Sequence, residues 1–97
     1  MENVTVGVVG LGRMGFAIAQ RLVAAGLTVY GYDAHQPLAA QAQQAGIKSC
    51  SSLAALAEKA RFVWLMVPAG QIVDDVIAAI KPHCMPNSIV IDGGNSF

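Results

Sequence analysis

The sequence predicts an α/β fold of the doubly wound kind, a parallel sheet between two helical layers in an α/β/α sandwich. Three observations carry this prediction. Short runs rich in Val, Ile and Tyr alternate with stretches of helical spacing along the chain. Several of the runs are apolar without interruption, which suits strands covered on both faces. Glycine, proline and serine punctuate the junctions between them. Regular alternation of strand and helix calls for parallel strands joined by right-handed crossovers.

The first strand is expected over residues 4–9, and it runs into Gly10-Leu11-Gly12-Arg13-Met14-Gly15. The helix that follows carries Met14, Ile18, Leu22 and Ala25 at helical spacing, and Gly26 stands where a C-terminal glycine cap belongs. Residues 28–32 form the second strand, with Asp33 directly after it. Pro37 suits the first turn of the next helix, which has Leu38, Ala42 and Ala45 as its apolar stripe and ends at Gly46. A short strand is expected over residues 47–50. Ser51 or Ser52 can cap a short helix bearing Leu53, Leu56 and Ala57. The unbroken run over residues 62–67 reads as a central strand. Residues 71–80 then place Ile72, Val73, Val76, Ile77 and Ile80 on one helix face, with Asp74 and Asp75 in the first turns favouring the helix dipole. Residues 88–91 are the last strand, followed by Asp92-Gly93-Gly94-Asn95-Ser96.

The turn after the first strand has the spacing Gly-x-Gly-x-x-Gly, and Asp33 follows it by about 20 residues at the end of the next strand. Glycine turns are common, but one set between a buried-type strand and an amphipathic helix reads as a dinucleotide site of the Rossmann type. Gly10 permits the tight turn, Gly12 leaves room for a pyrophosphate, and Gly15 lets the helix pack closely on the strand. The helix N-terminus turns its unpaired N–H groups and positive dipole end to the phosphates.

Asp33 would accept hydrogen bonds from the adenosine ribose hydroxyls and repel a 2′-phosphate, unless it is only a turn-forming acid. Unit charges about 4 Å apart repel by about 1 kcal/mol in water and about 4 kcal/mol at an effective dielectric of 20. That is a preference for NAD over NADP between about 5-fold and about 10³-fold. Ala34 and His35 share the loop, with His35 either near the adenine or simply exposed. Arg13 either approaches the pyrophosphate or is solvated in the first helical turn. Val67-Pro68-Ala69-Gly70 is either a close passage for the coenzyme at a carboxyl strand end or a plain strand-to-helix turn. Gly93 and Gly94 admit close approach and Asn95 offers donors and an acceptor, although Gly-Gly-Asn is also a good turn. Asp92 reads as a structural acid.

Six basic and six acidic side chains give zero formal net charge. No basic surface advertises nucleic acid and no polybasic segment advertises a membrane. The longest strongly apolar run, residues 62–67, falls far short of the ~18 residues of a membrane helix. With no basic n-region before an apolar stretch, a cytoplasmic protein is expected. Cys50 and Cys84 lack metal or redox spacing and read as reduced thiols. His83 beside Cys84 would give a metal only two ligands. A complete doubly wound nucleotide domain usually needs about 150 residues. The 97 residues here are therefore expected to form one dinucleotide-binding domain of a larger protein.

Taken together, three motifs resemble the N-terminal coenzyme domain of decarboxylating 6-phosphogluconate dehydrogenases, over residues 4–97. They are Gly10-Leu11-Gly12-Arg13-Met14-Gly15, then Val63-Trp64-Leu65-Met66-Val67-Pro68-Ala69-Gly70, and the most specific, Ile91-Asp92-Gly93-Gly94-Asn95-Ser96. Hydroxyisobutyrate-type relatives usually carry Asp-x-Ser-Thr at the last position. NADP-dependent members typically show Asn-Arg-Thr where this chain has Asp33-Ala34-His35, so the resemblance is to the NAD-preferring branch.

The resemblance implies coenzyme contacts at Gly10, Leu11, Gly12, Arg13, Met14 and Gly15, at Asp33, Ala34 and His35, and at Val67, Pro68 and Ala69. It implies that Asn95 touches both nicotinamide and substrate. It further implies oxidation of the C3 hydroxyl of 6-phosphogluconate by hydride transfer, loss of CO₂, and protonation of the enediol to ribulose 5-phosphate, without a metal. The family's lysine base, glutamate acid and phosphate-binding arginine belong to a helical catalytic domain beyond Phe97, through which a homo-oligomer would form. Lys48, Lys59 and Lys81 fall in the wrong segments for the base and read as surface lysines. Two other functions compete. One is another β-hydroxyacid dehydrogenase or an imine reductase, against which the Gly93-Gly94-Asn95-Ser96 segment counts. The other is an NAD-sensing regulatory module of the kind found in potassium channels, which lacks the Pro68-Ala69-Gly70 loop.

Overall fold

The computed structural model describes residues 4–67 and 70–93. The elements run β1 (Thr5–Val9), α1 (Arg13–Ala24), β2 (Thr28–Tyr32), α2 (Gln36–Gln44), β3 (Lys48–Ser49), α3 (Leu53–Lys59), β4 (Phe62–Leu65), α4 (Gln71–Ile80), a 3₁₀ turn (Lys81–His83) and β5 (Ile89–Asp92). Every strand pair is parallel, in the order β3-β2-β1-β4-β5. The chain winds outward from β1 to β3, returns beside β1 as β4, and winds outward the other way. That reversal opens a crevice at the carboxyl ends of β1 and β4, where sheets of this topology take their ligands.

Helices cover both faces, as the alternation of strand and helix predicted. On one face Val6, Val8 and Val29 pack with Leu11, Ala19, Ala42 and Ile47, beneath α1 and α2. On the other, Val9, Val63 and Leu65 pack with Leu56 and Ala57 of α3 and Val73, Val76 and Ile80 of α4. Gly7 faces the same side as Val9, where α3 crosses β1 closely. A Cβ there would stand 2.6 Å from Leu56 Cδ2 and 2.9 Å from Ala60 Cβ.

The helix boundaries fall close to the expected ones, and the buried faces differ in detail. In α1 the residues against the sheet are Gly15 and Ala19, with Phe16, Leu22 and Val23 flanking them. Met14, expected in the stripe, is 63% exposed. The small pair brings the helix so near the sheet that the stripe shifts by one position. In α4 the buried residues are Val73, Val76 and Ile80, while Ile72 and Ile77 are exposed. Asp74 lies in its first turn, and Asp75 instead accepts from Gln71 Nε2 at 2.9 Å. Between the two candidate caps of α3, Ser52 is the one used, its Oγ accepting from Ala55 N–H at 3.1 Å.

β3 contracts to two residues, Lys48–Ser49, because Ile47 is drawn into the core and bonds back to Ala42 O. β4 ends at Leu65, two residues short of expectation, though Met66 N–H still donates to Val9 O at 2.7 Å. The largest departure is β5. It runs one residue later than the expected 88–91, and although the chain's overall apolarity suits strands covered on both faces, Ile89, Val90 and Ile91 are 48%, 40% and 39% exposed among the described residues.

Candidate functional site

The glycine turn stands at the carboxyl end of β1. Gly10 has φ +97°, a conformation closed to most side chains, and a Cβ there would come within 2.7 Å of the Met66 carbonyl oxygen. Its N–H donates to Tyr32 O at 2.9 Å. At Gly15 a Cβ would fall on the Gly10 carbonyl oxygen, so only glycine lets α1 start this close to the turn. Gly12 differs from both. Its φ of −70° suits any residue and a Cβ would meet nothing within 4 Å. Neither backbone nor packing asks for glycine at 12, and the space left open belongs to the cleft that Gly12 lines.

Behind Gly12, α1 begins with no capping side chain and no acidic residue in its first turn. Its first N–H groups and the positive end of its dipole are left for an outside acceptor. Arg13 and Met14 are exposed at the same end, and Arg13 makes no ion pair among the described residues. Leu11 serves the site from behind. Its side chain is 1% exposed in the core and its N–H donates to Asp33 Oδ2 at 2.7 Å.

Asp33 closes the site from β2. Its Oδ2 takes the Leu11 N–H and its Oδ1 takes the His35 N–H at 2.8 Å, so one carboxylate ties the glycine turn to the start of α2. The turn-forming reading of Asp33 is therefore correct as far as it goes. An ionised carboxylate has about four acceptor sites. Two are used by the described backbone, leaving capacity for hydroxyl donors. Ala34 is exposed beside it, and His35 is the exposed N-cap of α2, outside the residues lining the cleft.

The cleft has a volume of about 480 Å³ and is lined by Val9, Gly10, Gly12, Tyr32, Asp33, Ala34, Leu38, Leu53, Met66, Val67, Ile72 and Val76. That is ligand-sized, with a mostly apolar wall and one carboxylate at its rim. Ile72 and Val67 join it, which accounts for one of the two apolar side chains exposed on α4. A second cavity, of about 440 Å³, shares Tyr32, Asp33 and Ala34 and continues to Gln36, Gln43, Ser49, Cys50 and Ser51. No basic side chain lines either cavity among the described residues. Burial pushes the Cys50 thiol above its ordinary range, against the opposing pull of Lys59. Lys59 lies 5.7 Å from the Tyr30 ring centroid, and His83 Nδ1 lies 3.3 Å from Glu58 Oε2, both away from the cleft. Pro68, Ala69 and Asn95, expected at the coenzyme, lie outside the described residues.

The sheet order, the glycine turn and the carboxylate at the end of β2 define a dinucleotide-binding domain of the dehydrogenase type. Residues 5–97 match the family model of the NAD binding domain of 6-phosphogluconate dehydrogenase, and the chain belongs to that family. A Haloferax volcanii protein named as an NAD(+)-dependent, decarboxylating 6-phosphogluconate dehydrogenase is 40% identical over 93 residues, 93% of this chain and 31% of that protein. A Bacillus subtilis protein of the same name is 37% identical over 99 residues, 95% of this chain and 21% of its own length. The chain thus spans a fifth to a third of these relatives.

Among solved structures, a Mycobacterium tuberculosis 3-hydroxyisobutyrate dehydrogenase with L-serine superposes with a TM-score of 0.92 at 28% identity, over 96% of this chain and 32% of that one. A Myxococcus stipitatus imine reductase in complex with NADP+ has a TM-score of 0.87 over 95% of this chain and 32% of its own, at 14% identity, a likeness of fold alone. The chain carries an NAD-binding domain. No helix among the described residues is long and apolar enough to cross a membrane.

Proposed function

We propose that this chain is the coenzyme half of an NAD-preferring enzyme that oxidatively decarboxylates 6-phosphogluconate to ribulose 5-phosphate. The observation that carries the coenzyme preference is the Asp33 carboxylate, held at the cleft rim by two backbone N–H groups, with no basic side chain lining the cleft among the described residues. The site fits a dinucleotide, because Gly12 keeps open a space that neither its backbone nor its neighbours require. NAD, when bound, accepts the hydride.

In this reading the pyrophosphate lies against Gly10, Gly12 and the first N–H groups of α1, with Arg13 and Met14 at its flank. The ribose hydroxyls donate to Asp33, and a 2′-phosphate brought there would face the same negative charge. The adenine lies between the Ala34 loop and the apolar wall of Leu53, Ile72 and Val76. Val67, Pro68 and Ala69 line the passage toward the nicotinamide, and Asn95 bridges it to the substrate. The lysine and glutamate that move protons, and the surface that assembles copies of the enzyme, belong to segments outside this chain.

The substrate assignment is supported by the Gly93-Gly94-Asn95-Ser96 ending and by the names of the sequence relatives. The fold likeness to 3-hydroxyisobutyrate dehydrogenase keeps that substrate class as the second reading. The test is turnover by the full-length protein. With NAD, 6-phosphogluconate should give NADH, CO₂ and ribulose 5-phosphate. Asn95→Ala should lower turnover about 100-fold, the cost of about 1 Å of misplacement, while NAD binding is largely kept. Oxidation of 3-hydroxyisobutyrate in place of 6-phosphogluconate would move the enzyme to the second class, and NAD binding without turnover of either would make the domain a sensor.

A further inference from the structure

We propose that Trp64 is a positioning residue for hydride transfer, acting through Gly93 on the chain segment that carries Asn95. The inference rests on the proposed role of that segment. Trp64 lies on β4, in register with Val8 of β1 on one side and Ile91 of β5 on the other. Its indole fills the volume where a side chain at residue 93 would stand. A Cβ on Gly93 would fall on Nε1, and it would lie 2.7 Å from Cδ1 and 3.0 Å from Cε2.

The φ of Gly93 is outside the left-handed region, so the ring, and not the backbone, asks for glycine there. On the ladder side, Gly93 N–H donates to Leu65 O at 3.0 Å. The backbone is thereby held between a hydrogen bond and an aromatic ring as it leaves β5, and Asn95 is the second residue after that point. Trp64 Nε1, shielded from solvent, has no hydrogen-bond partner among the described residues, which fits an indole chosen for its shape at this spot. The consequence is that a residue on the strand behind the site fixes where the backbone stands at Gly93, two residues before Asn95 in sequence.

The experiment compares wild type, Gly93→Ala, Trp64→Leu and the double variant in the full-length enzyme. Melting temperature, kcat with 6-phosphogluconate and the KM for NAD are measured for each. Gly93→Ala should lower kcat about 100-fold. The KM for NAD should stay within about threefold, since misplacement at the reacting end leaves the contacts around Gly10 to Asp33 alone. Adding Trp64→Leu should restore kcat by about tenfold or more, because it empties the space into which the new methyl is forced.

If Gly93→Ala does not fold, Trp64→Phe against Trp64→Leu decides instead. The ring-retaining variant should keep kcat near wild type while Leu lowers it about tenfold, at similar KM for NAD. Wild-type kcat in Gly93→Ala or in Trp64→Leu overturns the proposal. So does a double variant that regains melting temperature without regaining kcat, since Trp64 would then be a packing residue only. A wild type silent on 6-phosphogluconate but active on another β-hydroxy acid refutes the substrate reading alone, and the same ratios are then read with that acid. Silence on every such acid overturns both.

Discussion

A methyl group added at Gly15 would fall on the carbonyl oxygen of Gly10, whereas one added at Gly12 would meet no protein atom within 4 Å. The two glycines of one turn should therefore respond to the same substitution in opposite ways. Gly15→Ala is expected to destabilise the domain by about 3 kcal/mol, the upper range for overpacking, as read by thermal or urea melting. Gly12→Ala should melt like wild type and bind NAD at least tenfold more weakly by calorimetry. Equal NAD binding by Gly12→Ala would mean that the open space is not the coenzyme's. The tight turn at Gly10 and the close packing at Gly15 were legible in the sequence because a turn's backbone demands are local. The bond from Leu11 N–H to Asp33 was not, since it joins groups 22 residues apart whose meeting depends on the β1–β2 register. Contacts between distant segments likewise hid the burial of Leu11 and the reason that residue 93 is glycine.

At the scale of elements, periodicity found each helix and strand and misjudged which residues face inward. The stripe of α1 was read from its larger residues, Met14 and Ile18, but close approach to the sheet selects Gly15 and Ala19. A pattern of hydrophobicity carries no information on how near a helix will lie. Ile72 on α4 was similarly invisible as a site residue, because the sequence does not separate Ile72, which lines the cleft, from Val73, which fills the core. Local capping chemistry fared better. Ser52→Ala should cost about 1 kcal/mol by removing the acceptor for Ala55 N–H. Leu56→Ala, at a fully buried contact between α3 and the sheet, should cost about 2–5 kcal/mol. A melting shift for Ser52→Ala as large as that for Leu56→Ala would contradict this division between helix end and core.

For the molecule as a whole, the doubly wound topology followed from strand–helix alternation, and the strand order places Gly12, Asp33 and Val67 around one cleft. The chain's overall apolarity suits strands covered on both faces, yet the apolar residues of β5 are exposed among the described residues, because composition reports what a strand can bury and not what lies against it. The chain spans 31% of the Haloferax relative, and in the function proposed above the acid and base belong to segments outside it. The isolated 97 residues should accordingly reduce no NAD with 6-phosphogluconate, and turnover by the purified chain would show that the chemistry has been misplaced.

The imine reductase with NADP+ and its variant with NAD+ share this fold, so architecture alone does not choose the coenzyme. In the function proposed above, that choice falls to Asp33. Its replacement by Asn removes the charge but leaves one acceptor oxygen for two backbone N–H groups. Asp33→Asn should therefore narrow the preference and also lose about 1.5–3 kcal/mol of stability. The most direct measurement is calorimetric titration of the wild-type protein with NAD and with NADP at one ionic strength. NAD should bind more tightly by a factor between about 5 and about 10³, and equal or tighter binding of NADP would contradict the role given to Asp33.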